Sequence, residues 1–190
     1  MGNEASKAYP RLKGLMTGRG IDIGCGNDPV PGADIWDTPQ GDAQYMEGVA
    51  DDTYDWVFSA HCLEHIKDPH VALHHWWRIL KVGGYLIVLV PDEDLYEQGV
   101  WPSRYNGDHK HTFTCHKYKS WSPASINVAD MIQILPGHKL ISLTIEDNGY
   151  DYNGSGDQTG GAAEAAVQFI LRKEAFLVTQ GITQVHVLGT

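Results

Sequence analysis

Residues 20–28 read Gly-Ile-Asp-Ile-Gly-Cys-Gly-Asn-Asp and constrain the fold more than any other stretch of the chain. The short apolar run predicts a buried parallel strand, and the two glycines that follow predict a tight turn. Glycine adopts positive φ at little cost and lets a ligand approach the backbone closely. We therefore expect a nucleotide-type binding site to be built around this turn.

The glycine turn lacks two features of dinucleotide sites. A third glycine before a helix would be needed to hold a pyrophosphate, and the residue three places after Gly26 is Pro29. The Gly-Lys-Ser or Gly-Lys-Thr of phosphate-binding loops is also missing. These observations favour an adenosine-like ligand without an essential phosphate. The segment from residue 27 to residue 36 is also too short for the usual crossover helix, because parallel neighbours commonly need a dozen or more residues between them.

Strand and helix patterns alternate along the chain. Apolar runs predict strands at residues 20–23, 33–36, 55–60 and 85–90, and later strands at 138–145, 166–172 and 182–188. Helices are predicted at residues 7–16, from Asp68-Pro69 to Gly83-Gly84, and from Ser122-Pro123 to Leu135, with Pro10 in or before the first turn of its helix. The order predicts an α/β, Rossmann-like fold: a mostly parallel twisted sheet, an antiparallel strand near the C-terminus and helices on both faces.

Charge and cysteine content narrow the class of partner. The formal net charge of -10 argues against nucleic acid or an anionic membrane as a partner, because both require a basic surface. The longest apolar run, residues 85–90, is far shorter than a membrane span. No signal peptide is visible, and three scattered cysteines are typical of reduced thiols. We expect one cytoplasmic domain over residues 1–190, and the oligomeric state stays open.

Four motifs resemble those of class I S-adenosylmethionine-dependent methyltransferases of the small type 11 group. Residues 21–26 resemble motif I, and residues 41–43 resemble the adenine-side motif. Residues 55–66 resemble strand four with its Leu-Glu-His signature, and residues 80–86 resemble the segment before strand five. The resemblance covers roughly residues 18–92. It implies a cofactor-binding half there and an acceptor or lid segment over about residues 92–121.

The resemblance implies that S-adenosylmethionine is the cofactor and assigns its contacts. Gly24 and Gly26 would let the backbone approach the methionine and ribose parts, and Asp22 would bind the methionine ammonium. Cys25 and Ser59 complete the contacts expected from the first and fourth strands.

Two further acids follow the predicted second strand. Asp37 is the candidate for accepting both ribose hydroxyls, and Asp42 would accept from the adenine amine, with the Ala43 amide at the ring. The alternative interpretation of both acids is that they are solvated loop residues.

Histidines are the candidates for chemistry on the methyl acceptor. His61 follows the predicted strand four, where related enzymes place residues that touch cofactor and acceptor, and it could instead cap the strand end. His109 and His111 resemble a histidine segment that precedes the acceptor lid, so all three are predicted catalytic residues. Glu64 and His65 are expected to be structural.

The long segment after residue 92 also supplies candidate substrate-binding residues. Trp101, Arg104 and Tyr105 could line the acceptor pocket, although aromatic side chains also fill cores.

A metal is a second interpretation of residues 108–116. His109, His111, Cys115 and His116 are ligand types, and His-x-His places both rings on one side of an extended chain. Adjacent residues in such a chain point to opposite faces, however, and no Cys-x-x-Cys is present. We predict no metal in this segment.

The sequence thus predicts methyl transfer to an O or N nucleophile of a small molecule, with a sugar or sugar-linked metabolite as one candidate. Two alternatives stay open. One is a non-catalytic cofactor-binding or partner module on the same fold, and the other is a nucleotide- or nucleotide-sugar-binding enzyme with a Rossmann-like sheet.

Overall fold

The computed structural model describes residues 3–175, so the strand predicted at residues 182–188 lies outside the described part. The strands are β1 (Gly20–Ile23), β2 (Asp34–Trp36), β3 (Tyr54–Ala60), β4 (Leu80–Pro91), β5 (Thr112–Thr114), β6 (Ser125–Asn127), β7 (His138–Glu146) and β8 (Ala166–Lys173). The helices are α1 (Glu4–Leu12), α2 (Pro69–Ile79) and α3 (Val128–Met131). Single 3₁₀ turns lie at Lys13–Leu15, Leu63–His65 and Ile132–Ile134.

Six strands form the main sheet in the order β2-β1-β3-β4-β8-β7. The strands β2, β1, β3 and β4 are mutually parallel, whereas β8 runs antiparallel to both β4 and β7. The predicted mostly parallel sheet with an antiparallel strand near the C-terminus is therefore confirmed. Since parallel strands end at one edge of a sheet, the carboxyl ends of β1, β2, β3 and β4 lie together.

The connection from β1 to β2 is a loop without a helix. The buried Asp22 carboxylate accepts a hydrogen bond of 2.8 Å from the Val30 N–H. Gly24 N–H donates to the Trp36 carbonyl at 2.7 Å. These bonds hold the short loop against the end of the sheet, and the predicted shortened crossover is confirmed.

Helices cover both faces of the main sheet, as predicted. The apolar face of α1 packs with Trp56 and Phe58 of β3 and Ile87 of β4. The other face carries α2 and α3 in a separate core cluster that includes the fully buried Trp76. Within residues 3–175, none of the helices has the length and apolar character needed to cross a bilayer.

Helix α2 begins as its sequence predicts. The Asp68 side chain accepts from the N–H groups of His70 (3.1 Å) and Val71 (3.2 Å), and Pro69 occupies the first turn. An N-cap of this kind stabilises a helix by about 1 kcal/mol. The helix ends at Ile79 rather than at the glycine pair, because the chain enters β4 directly at Leu80.

Two other predicted helices differ from the structure. Pro10 lies inside α1, close to its C-terminal end, and not in or before its first turn. The helix predicted from Ser122 to Leu135 begins only at Val128, because residues 125–127 pair with β5 as strand β6. Asn127 then caps α3 by accepting from the Ala129 N–H at 2.9 Å. Tertiary strand pairing overrides the local helical pattern here.

Gly20 leads to a prediction about packing at the start of β1. A methyl group on Gly20 would overlap the buried indole of Trp56, whereas a methyl group on Gly14 would meet no heavy atom within 4 Å. We expect Gly20→Ala to lower the free energy of unfolding by about 1–3 kcal/mol through overpacking, and Gly14→Ala to change it little. Urea unfolding of both variants measures the difference, and equal midpoints would contradict it.

Candidate active site

A cleft at the carboxyl ends of the parallel strands consists of two joined cavities. The inner cavity, of about 340 Å³, is lined by Asp22, Glu64, Tyr96 and His109, among others. The larger outer cavity, of about 1070 Å³, is lined by Ile35, Asp37, Asp42 and Ile66, among others. Both cavities share residues 24–27, His61, His65 and Asn106 as lining residues. The predicted glycine turn therefore forms the boundary between two compartments of one cleft.

The glycine turn has the backbone that its sequence predicts. Gly24 has φ +76° and Gly26 has φ +54°, the region that glycine adopts without strain. A methyl group on Gly24 would lie 2.5 Å from the Sγ atom of Cys62, so no side chain fits there. The turn thus presents bare backbone and the flanking Cys25 to both cavities.

Asp37 joins the end of β2 to the glycine turn. One carboxylate oxygen accepts from the Gly26 N–H at 2.8 Å, and the other accepts from the Thr38 N–H at 2.7 Å. The oxygen bonded to the Thr38 N–H also accepts from the Thr38 hydroxyl at 3.3 Å, so the open acceptor position is on the oxygen bonded to Gly26, where it can accept from a hydroxyl of a ligand in the outer cavity. This arrangement fits the ribose-binding role that the family resemblance implies.

The far part of the outer cavity has polar and apolar walls. Asp42 and Ala43 line it, and the Asp42 carboxylate accepts from the Gln44 N–H at 2.8 Å. Ile35 and Ile66 provide apolar surface, although Ile35 is 49% exposed. Sequence reasoning missed both isoleucines, because an apolar residue in or beside a short strand carries no sign that it faces a ligand. A flat aromatic base is the kind of group that such walls suit.

Asp22 lies below the turn and lines the inner cavity. Its side chain is buried, and burial raises the pKa of its carboxyl group to about 7. The neighbouring carboxylates of Asp28 and Asp37 raise the pKa further, while the Val30 N–H opposes them. Asp22 is therefore poised to ionise near neutral pH when a cation such as an ammonium group binds.

His61 follows β3 and lines both cavities. It has φ +51°, an uncommon conformation for a residue with a side chain, and its N–H donates to the Leu89 carbonyl at 3.0 Å. Burial lowers the pKa of the His61 ring to about 3, so the ring is neutral at physiological pH. A neutral imidazole in a cavity wall can accept a hydrogen bond from a bound hydroxyl or amine.

Buried acids and imidazoles surround the inner cavity. Glu64 is fully buried, and burial raises its pKa to about 8. The Lys110 N–H donates to the Glu64 carbonyl at 2.8 Å, which ties the histidine-rich segment to the turn Leu63–His65. His109 Nδ1 lies 2.7 Å from an oxygen of the buried Glu97.

The expected structural role of Glu64 and His65 is therefore incomplete, because both line the inner cavity. Their position within the strand-four motif, directly after the predicted strand, was the available signal. Glu4 and Asp157 also line this cavity, from α1 and from a distant loop, and no local pattern in the sequence indicates them.

Four predicted site residues lie away from these two cavities. Ser59 is fully buried and its hydroxyl donates to the Ile23 carbonyl at 2.9 Å. His111 places its Nε2 atom 3.3 Å from the Lys67 carbonyl. Arg104 is exposed, with its guanidinium 5.9 Å from the Tyr105 ring, and Trp101 lines neither cavity.

Tyr105 does line the inner cavity, and its hydroxyl donates to the Gln98 side chain at 2.8 Å. The histidine-rich segment also spreads its side chains. His109 is in the inner cavity, whereas the His116 Nε2 atom lies 3.9 Å from Asp94.

The raised pKa of Asp22 predicts a pH-dependent stability. The folded state binds the Asp22 proton more tightly than the unfolded chain, whose carboxyl has the ordinary pKa of 3.8. The free energy of unfolding of the native protein should therefore fall relative to that of Asp22→Asn as the pH rises from about 4 to about 7. The fall should be of the order of a few kcal/mol, and the difference between the two proteins should stay constant above pH 7. Urea unfolding across that range measures it, and a pH-independent difference between the two proteins would contradict it.

Comparisons with known proteins agree with this geometry. Residues 26–88 match the methyltransferase domain family. A search of curated proteins finds no match to the sequence.

Solved structures that resemble the chain include S-adenosylmethionine-dependent methyltransferases. The enzyme from Thermotoga maritima is 18% identical, with a TM-score of 0.57 over 90% of this chain and 89% of that chain. The enzyme from Archaeoglobus fulgidus is 16% identical, with a TM-score of 0.57 over 90% of this chain and 94% of that chain. The protein from Methanosarcina mazei is 12% identical, with a TM-score of 0.53 over 87% of this chain and 98% of that chain.

At these identities the structural likeness shows the fold, and the family match is confined to residues 26–88. Over residues 26–88 the chain matches the methyltransferase domain family, and its described residues share the fold of S-adenosylmethionine-dependent methyltransferases.

Proposed function

We propose that this chain transfers the methyl group of S-adenosylmethionine to an O or N nucleophile of a small polar molecule held in the inner cavity. The observation that supports this most is the position of the bare glycine turn between two compartments. The outer compartment has the carboxylate and apolar walls suited to adenosine, and the inner compartment has imidazoles and acids suited to an acceptor.

The outer cavity accounts for the nucleoside part of the donor. Asp37 accepts the two ribose hydroxyls, Ile35 and Ile66 contact the faces of the adenine, and Asp42 accepts from the exocyclic amine. Asp22 attracts the methionine ammonium from below the turn. When bound, S-adenosylmethionine supplies a methyl group already activated on a sulfonium, so the protein has chiefly to hold donor and acceptor in line.

The inner cavity accounts for the acceptor. Its volume of about 340 Å³ suits a group of roughly monosaccharide size. Asn106, Tyr105, Asp157 and Thr159 line it and offer donors and acceptors for a hydroxyl-rich molecule. These features support a sugar or sugar-linked acceptor over an apolar one.

His61 and His109 are the nitrogen bases closest to the proposed reaction. The neutral ring of His61 accepts a hydrogen bond from the attacking hydroxyl or amine and orients its lone pair toward the donor. His109, whose other ring nitrogen is held by Glu97 at 2.7 Å, lies in the wall of the same cavity. His111 has no part in this proposal because it lies outside the cavity.

The donor assignment predicts a binding defect in Asp37→Asn. Replacing one acceptor oxygen by an amide group removes a charge-assisted bond to the ribose and turns a donor toward Gly26 or Thr38. We expect calorimetry to show S-adenosylhomocysteine binding weakened by about 10–100-fold. NAD should bind to neither protein.

Asp34→Asn is the matched control, because Asp34 begins β2, the strand that Asp37 follows, and its carboxylate is bonded to Arg19 (2.8 Å) and Tyr54 (3.1 Å) outside both cavities. It should bind S-adenosylhomocysteine as the native protein does. Preferential binding of NAD by the native protein would support the nucleotide-binding alternative instead.

The acceptor assignment predicts a turnover defect in His61→Asn. Asparagine tolerates the positive φ at this position, so the substitution removes the imidazole with little strain. With an acceptor found by screening sugars and nucleotide sugars with labelled donor, kcat should fall about 100-fold through lost orientation, with the KM for the donor little changed.

His111→Asn removes a ring of the same kind outside the cavity and should keep near-native turnover. Equal turnover in the native protein and His61→Asn would remove His61 from the mechanism. Binding of S-adenosylmethionine without turnover of any acceptor would favour the non-catalytic module.

A further inference from the structure

The wall of the inner cavity contains a buried carboxylate that the proposed methyl transfer leaves unexplained. Glu64 is 0% exposed, and within residues 3–175 neither of its carboxylate oxygens has a hydrogen-bond partner. A buried polar group without a partner costs roughly 1–3 kcal/mol, and a carboxylate costs more. The buried Glu64 carboxylate therefore needs a contact from another group to offset this cost.

Imidazole nitrogens surround one oxygen of this carboxylate. Glu64 Oε1 lies 3.7 Å from His65 Nε2, 3.8 Å from His61 Nδ1 and 3.9 Å from His109 Nε2. These separations are too long for hydrogen bonds. Hydrogen bonds between Glu64 and the imidazoles therefore do not explain the arrangement.

The separations are close to those between ligands that share one metal ion. Bonds of about 2.0–2.2 Å to a tetrahedral zinc ion place neighbouring ligand atoms roughly 3.3–3.5 Å apart. One ligand atom from each of Glu64, His65 and His109 lies within 4.8 Å of the other two. The Nε2 atoms of His65 and His109 lie 3.7 and 3.9 Å from Glu64 Oε1, only a few tenths of an ångström beyond that spacing.

The outer nitrogens of the two imidazoles are already held by carboxylates. His109 Nδ1 lies 2.7 Å from Glu97 Oε1, and His65 Nδ1 lies 3.1 Å from Asp108 Oδ2. A carboxylate at one ring nitrogen keeps the proton there and leaves the lone pair of the other nitrogen free. Metal-binding imidazoles are usually held in this way, with a carboxylate, a backbone carbonyl or a water at the other ring nitrogen fixing their orientation. Both free Nε2 atoms face Glu64.

We propose that Glu64, His65 and His109 bind one divalent first-row transition-metal ion, of which Zn²⁺ is the best match. One carboxylate and two imidazoles are the nitrogen and oxygen donors that such ions accept. The three residues line the inner cavity, so the remaining coordination positions face the acceptor compartment. This open arrangement is typical of catalytic rather than structural metal sites.

The site changes the roles of the two catalytic histidines. His109 becomes a metal ligand, and His61 stays as the ring that contacts the acceptor. If the proposed methyl transfer is correct, the ion would bind the acceptor hydroxyl or amine and lower its pKa. Metal binding itself does not depend on that transfer.

Zinc binding to the chelator-treated full chain tests the proposal. Calorimetry should show one equivalent of Zn²⁺ bound, and Co²⁺ should give the visible absorption of a low-symmetry site. Glu64→Gln and His65→Ala should each weaken Zn²⁺ binding by at least about 100-fold, and Glu97→Gln should weaken it by about 10–100-fold. His65 is partly exposed, so His65→Ala provides the test if Glu64→Gln fails to fold.

His74→Ala is the matched control. His74 is exposed on α2, one helical turn from His70, and such a pair can bind zinc adventitiously. The control should retain the native affinity. Loss of binding in His74→Ala, native affinity in His65→Ala, or no stoichiometric Zn²⁺ binding by the native chain would each overturn the proposal.

Binding of S-adenosylhomocysteine separates this proposal from the proposed function. The outer cavity does not include Glu64, so Glu64→Gln should bind S-adenosylhomocysteine like the native chain. A chain that binds S-adenosylhomocysteine but no zinc contradicts only the metal site. A chain that binds zinc but no S-adenosylhomocysteine contradicts only the methyl transfer.

Discussion

The turn after β1 is the constraint on which the rest of the site depends. The chain must leave a buried strand, reverse beside Cys62 and reach β2 without a crossover helix. Glycine at position 24 makes the reversal sterically feasible, and the Asp22–Val30 bond holds the returning loop. The Asp37 bond to the Gly26 N–H then places the end of β2 against the same turn. One short segment thus sets the shared boundary of both cavities.

Buried charge is the second feature that shapes the molecule. Asp22 and Glu64 line the inner cavity, and Glu97 lies 2.7 Å from His109 in its wall; all three carboxyl groups are almost completely shielded from solvent. Burial raises the pKa of Asp22 and Glu64, because the charged form of each carboxyl group is disfavoured when water is excluded from it. Such sites lower stability unless a ligand compensates them, and they are common where a protein binds cations or moves protons. The same feature connects the end of the cleft proposed to bind the methionine moiety to the proposed metal site.

The sequence was sufficient for the elements whose signals are local. The strand and glycine turn at residues 20–26, the capped start of α2 and the short first crossover are all as predicted. The prediction that residues 125–127 are helical was wrong. These residues pair with β5, and the local helical pattern does not reveal that partner strand. Pro10 shows that packing of α1 on the sheet tolerates a residue that helix propensity disfavours.

The candidate site was predictable mainly where its residues belong to motifs, and Tyr105 is an exception. Gly24, Gly26, Asp37, Asp42 and His61 line the cleft because they follow the ends of parallel strands. Glu4 and Asp157 reach the inner cavity from distant segments, which no spacing in the sequence could indicate. Ser59 is adjacent to the same motifs but points to a neighbouring carbonyl, since side chains alternate along a strand.

A crystal structure of the chain with S-adenosylhomocysteine tests the central claim most directly. The account predicts the adenosine in the outer cavity with its ribose hydroxyls on Asp37, and the sulfur beside the glycine turn facing the inner cavity. A ligand bound elsewhere, or with its sulfur turned away from His61, would contradict the account.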